Sequence, residues 1–142
     1  MRYRAGWLIH KKVLALTHFL PVVSPKDYMD ITATISDALL EVDQEFHVLI
    51  DNRIIADVTV MSLEALIEAS PLFRHPQLRW TVIVLPEPIK DRAGEMKVQQ
   101  QGSIQLIYVN CLDAALAHFQ AVDETLDWSA RDTTFFTNSE QE

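Results

Sequence analysis

Apolar positions along the chain fall into short continuous runs separated by stripes of three- and four-residue spacing, the signature of strands alternating with helices. Tyr3 to Ile9 and Val13 to Phe19 carry strand-type residues on either side of the polar His10-Lys11-Lys12, which predicts an N-terminal hairpin. Ser24-Pro25-Lys26-Asp27 then reads as a helix start. Serine caps free amides, proline suits the first turn and aspartate faces the positive end of the helix dipole. The stripe Tyr28, Ile31, Ile35, Leu39 and Val42 marks the buried face of that helix. Phe46 to Ile50 is a continuous apolar run closed by Asp51, the pattern of an interior parallel strand.

Beyond a polar loop from Asp51 to Val60, Ser62 to Ala69 predicts a helix with Leu63, Leu66 and Ile67 inward, stopped by Ser70-Pro71. Trp80 to Leu85 predicts the next strand, ended by Pro86 and Pro88. Ile89 to Val98 reads as a helix weakened by Gly94, with Ala93 and Met96 inward, and Ile104 to Val109 as the last strand. A final helix is capped by Asn110 and buries Leu112, Ala115, Leu116, Phe119 and Val122. This alternation predicts an α/β fold: one domain over residues 1–126, with a mostly parallel four-stranded sheet, an N-terminal antiparallel edge strand and flanking helices. Residues 127–142 read as a polar tail with a mobile end, despite Phe135 and Phe136. Right-handed crossovers bring the loops after Val23, Ile50, Leu85 and Val109 to one edge of the sheet, where a site belongs.

Composition narrows the chemistry. At 142 residues and 49% hydrophobic content the chain buries a core without staples, and a single cysteine excludes a disulfide framework. Twelve basic against twenty acidic residues give a net charge of -8, which opposes binding to nucleic acid or to an anionic membrane surface. The stretch Val13 to Val23 follows several basic residues, but Thr17, His18 and Pro21 interrupt it, and it is far shorter than the ~20 apolar residues of a membrane span. The expectation is a soluble cytoplasmic protein.

Candidate catalytic groups are sparse. Asp51 closes a buried strand as a phospho-acceptor aspartate does. However, the companion acids after the first parallel strand and the lysine after the last are replaced by Phe19-Leu20-Pro21-Val22-Val23 and Asn110-Cys111. Asp51 is therefore expected to organise its loop by accepting backbone amides or pairing with Arg53. The five histidines show no metal-binding spacing, and Cys111 reads as a small buried hydrophobe. No phosphate loop, dinucleotide fingerprint or nucleophile elbow is present, so neither an enzyme nor a cofactor or metal is expected. What remains is the segment from Asp57 through Thr59 to Ser62, where the chain turns into a helix N-terminus. A hydroxyl there caps the helix, and a phosphate added to it would meet free amides.

The order of elements resembles the STAS domains, the anti-sigma-factor antagonists and their relatives, and most nearly the divergent SpoIIAA-like branch. The resemblance covers about residues 3–126. It rests on Ser24-Pro25-Lys26-Asp27-Tyr28, Phe46-His47-Val48-Leu49-Ile50-Asp51, Ser62-Leu63-Glu64-Ala65-Leu66, His75 to Val84, and Leu112-Asp113-Ala114-Ala115-Leu116. It implies a bacterial, non-enzymatic regulatory module that binds a partner protein, a second copy of the chain included. It also implies a phosphorylated serine at the position of Ser62. The family's Asp-Ser/Thr-Ser/Thr-Gly motif reads Val60-Met61-Ser62-Leu63 here, without the acid, the neighbouring hydroxyl or the glycine. An alternative function is a carrier for a small apolar or lipid-like molecule, with Val58, Val60, Met61, Leu72 and Phe73 lining its pocket.

Overall fold

A computed structural model gives the fold and describes residues 1–138. It forms a single α/β domain around a six-stranded mixed sheet. The strands are β1 (Tyr3–Ile9), β2 (Val13–His18), β3 (Phe46–Asp51), β4 (Leu78–Val84), β5 (Gln99–Gln101) and β6 (Ile104–Val109). Their spatial order is β1-β2-β3-β4-β6-β5. Strands β2, β3, β4 and β6 run parallel, while β1 and β5 are antiparallel at the two edges. The expected sheet of four parallel strands plus one edge strand therefore gains a second edge strand. The helix expected over Ile89 to Val98 is instead a 3-10 segment, Glu87–Glu95, followed by β5. Gly94 disfavours an α-helix in this short segment, whereas Pro86 and Pro88 fall at its start, where a missing amide donor costs nothing.

The helices are α1 (Pro25–Leu39), α2 (Leu63–Ala69) and α3 (Leu112–Val122). In α1 the Ser24 hydroxyl accepts from the Asp27 amide at 3.1 Å, and the Asp27 carboxylate reaches back to the Ser24 amide to complete a capping box. Asp27 also accepts from Arg2 at 2.6 Å, so it takes the inward position at the helix start. That sets the phase of the helix: Asp27, Ile31 and Ala38 are buried, while Tyr28, expected inward, is exposed. Helix α3 is capped by Cys111 rather than Asn110, and the Cys111 thiol, expected to be buried, is exposed.

Alternating strand residues divide the core between the two faces of the sheet. Val13, Ala15, Leu49, Val82 and Val84 lie on the face covered by Ala115 and Phe119 of α3. Leu14, Val48 and Leu78 lie on the opposite face, beneath Ile35 and Leu39 of α1 and Leu66 of α2. A bulge at Trp7/Ile9 in β1 turns both Leu8 and Ile9 toward the α3 face. A second irregularity between β3 and β4 frees the Trp80 amide, which donates to His47 Nδ1 at 3.2 Å. Residues 127–138, expected to be a polar tail, complete the α3-side core. Phe135 is fully buried there and the Asp132 amide donates to the Leu8 carbonyl at 2.8 Å. The mobile end expected for the tail, residues 139–142, lies outside the described residues.

Candidate functional site

Parallel strands β2, β3, β4 and β6 bring the segments after His18, Asp51, Val84 and Val109 to one sheet edge, as their alternation with helices predicts. Asp51 sits at its centre, 3% exposed. One carboxylate oxygen accepts from the Thr17 hydroxyl of β2 at 2.8 Å, and the Arg53 guanidinium closes on both oxygens through Nε and Nη2 at 2.8 to 3.0 Å. The Arg53 amide also donates to Asp51, at 3.1 Å. A buried carboxylate needs such saturation, because an unpaired charge in this position costs several kcal/mol. Asp51 thus organises its loop, and Arg53 is its partner. Thr17 joins them from 34 residues away, which no local pattern signals.

The loop is pinned on both sides. Asn52 donates to the Val84 carbonyl at 3.1 Å, Ala56 to the Pro21 carbonyl at 2.9 Å, and Glu87 to the Arg53 carbonyl at 3.2 Å. An open cleft of about 660 Å³ runs between this loop, the end of β2, Glu87-Pro88 and Phe136. His18 lines it, its pKa lowered first by burial, against the opposing pull of Asp51 and Asp27. On the β2–α1 loop and α1, Val22, Tyr28 and Met29 are 65%, 66% and 70% exposed; Leu20 is exposed too, as is Ile54 on the cleft wall.

Asp57 and Thr59 are exposed and stand apart from the Asp51 cluster; no hydrogen bond or ion pair among the described residues joins them to it. Ser62 is the N-cap of α2, its hydroxyl accepting from the Ala65 amide at 3.1 Å. Its side chain is exposed, although Met61 and Leu63 flank it. Two of the neighbouring amides are already engaged. Leu63 donates to the Gln99 side chain at 2.8 Å, and Met61 donates at 3.1 Å to the Tyr108 hydroxyl, which in turn donates to the Met61 carbonyl. Burial raises the Tyr108 pKa, partly offset by its bond to the Met61 backbone, so the phenol stays neutral in this clamp. A phosphate on Ser62 would have to displace Gln99 or its own cap to reach the Leu63 and Ala65 amides, while the Glu64 amide has no partner among the described residues. Tyr108 and Gln99 were not legible as site residues, because they arrive from strands 36 to 47 positions away.

Leu72 and Phe73, two of the residues expected to line a carrier pocket, are core side chains packed with Leu14 and Phe46. Val60 packs instead against Leu63, Leu85 and Tyr108. Among the described residues no cluster of His, Cys, Asp or Glu is arranged to hold a metal ion, and no helix is long and apolar enough to cross a membrane. In comparisons with known proteins, the chain matches no family model, no curated protein and no solved structure.

Proposed function

We propose that the chain is a non-enzymatic protein-interaction module, regulatory in the manner of the anti-sigma-factor antagonists it resembles, and that it works in the bacterial cytoplasm. One observation carries this reading. The candidate groups Asp51, Ser62 and Tyr108 are engaged internally, while apolar side chains of the β2–α1 loop and α1 face outward. Asp51 is saturated by Thr17 and Arg53, Ser62 is a helix cap, and Tyr108 holds the Met61 backbone, so each of these groups is committed to structure. Val22, Tyr28 and Met29 instead leave large apolar side chains exposed on the β2–α1 loop and the first two turns of α1, and exposed apolar groups this close in sequence are what a protein contact would cover.

The test places a photo-crosslinking amino acid at Met29 and, as a control, at exposed Gln120 on α3, in the cell that makes the protein. A discrete protein adduct from position 29 and none from position 120 is the expected outcome. A second copy of the chain in that adduct would identify a homodimer. Equal labelling from both positions would sink the reading.

A further inference from the structure

We propose that the cleft at the carboxyl edge is a binding site for a small molecule bearing one carboxylate on an apolar body, with Arg53 as the group that recognises the carboxylate. The Arg53 guanidinium is held in a fixed orientation by Asp51, which takes Nε and one hydrogen of Nη2. Its backbone is fixed as well, by the Arg53 amide bond to Asp51 and the Glu87 amide bond to the Arg53 carbonyl. Nη1 has no partner among the described residues, and the side chain is 42% exposed where it borders the cleft. A guanidinium pre-oriented from behind by a carboxylate presents its remaining donors to an incoming acceptor with little entropy left to lose.

The other walls select what carries that acceptor. Phe19, Ile54, Pro88 and Phe136 are apolar, and the cleft volume of about 660 Å³ lies within the range of small-molecule sites. Glu87, the one acid on the wall, is paired with Lys90 at 2.9 Å. The place is also where ligands of open α/β sheets collect, beyond the carboxyl ends of parallel strands. Because Asp51 balances the charge of Arg53, recognition depends on hydrogen-bond geometry more than on net charge. This site and the Met29 surface rest on different side chains, so either reading can fail alone.

The experiment compares 4-phenylbutyrate with its uncharged analogue 4-phenylbutanol, by titration calorimetry and by amide chemical shifts in the full chain. The expected result is that the carboxylate binds about tenfold more tightly than the alcohol, the amount one charge-assisted hydrogen bond supplies. Its largest shifts should fall on Thr17, His18, Arg53 and Ile55. Arg53→Gln should erase the tenfold difference. Should that variant fail to fold by circular dichroism, Arg53→Lys, which keeps a cation beside Asp51 but loses the fork, should reduce it. Equal affinity for the two compounds, shifts centred elsewhere, or a preference unchanged in the folded variant would overturn the assignment.

Discussion

At the scale of single residues, the polar side chains of the carboxyl edge act on backbone and on one another. Ser62 illustrates the consequence. Its hydroxyl satisfies one of the free amides at the start of α2, a helix of only seven residues, and Gln99 holds a second, that of Leu63. Ser62→Ala should therefore cost about 1 kcal/mol in urea unfolding, while Ser62→Asp, itself a good cap, should keep wild-type stability. Crosslinking from position 29 should be the same in both variants. A partner lost only on introducing aspartate would instead make Ser62 a switch. The cap was legible in the sequence because its partner is three residues away, as was Asp51 with Arg53 two residues away. Thr17, Gln99 and Tyr108 were not, since their roles exist only once distant strands are paired.

Secondary elements were legible where a hydrophobic period marked them and missed where a turn or a single long-range contact decided. The parallel pairing of β2 with β3, Leu14 against Val48, follows from two apolar runs flanking a capped helix. Strand β5 is three glutamines with no period at all. Its only local signal is Gly102-Ser103, a two-residue hairpin with Gly102 at φ +62°, a conformation glycine adopts without strain. His47 ties three elements together. Nδ1 accepts from Trp80 of β4, so Nε2 carries the proton and donates to Asp123, at the end of α3, at 2.8 Å. Burial lowers the His47 pKa, with Asp123 and Glu45 pulling upward and Lys12 downward. The contact with Asp123 is thus a hydrogen bond donated by a neutral ring. The unfolded chain takes up a second ring proton near pH 6.5, whereas the folded protein resists it. The stability His47 contributes is complete above about pH 6.5 and is lost as pH falls from there through its folded-state value. His18, His75 and His118, also lowered chiefly by burial, add to the same trend. Urea unfolding between pH 8 and 5.5 should show stability decreasing toward acid, by up to about 1.4 kcal/mol per pH unit for each group. His47→Gln, which offers an acceptor and a donor but no titration, should flatten the slope. An unchanged slope would remove His47 from this account.

For the whole molecule, the decisive feature is the C-terminal segment, whose composition reads as solvent-facing and whose geometry closes the core. Three Asp-x-Ser/Thr turns build it: Asp123, Asp127 and Asp132 each accept from the amide two residues on, at 2.9 to 3.1 Å, and from its hydroxyl. Those turns make a polar sequence follow a fixed path across the α3 side of the sheet. They deliver Phe135 into the core, with Arg4 over its ring and bonded to the Thr134 carbonyl. The repeated motif was in the sequence, but three polar turns disclose a path only when there is a surface to follow. That surface is the α3-side face of β1 and β2, where Phe135 shares one core cluster with Leu8, Ile9 and Val13. A domain boundary after Leu126 and a packed segment beyond it make opposite predictions. If the segment belongs to the core, Phe135→Ala should destabilise the protein by about 3–5 kcal/mol, the usual cost of emptying a buried phenylalanine site. A chain ending at Leu126 should lose its cooperative unfolding transition and bind a hydrophobic dye. A shortened chain that melts at the wild-type temperature would put the boundary back at residue 126. It would also leave the carboxyl-edge cleft without its Phe136 wall, so that the phenylbutyrate preference and the melting temperature, measured on the same shortened chain, separate what the segment does for folding from what it does for the site.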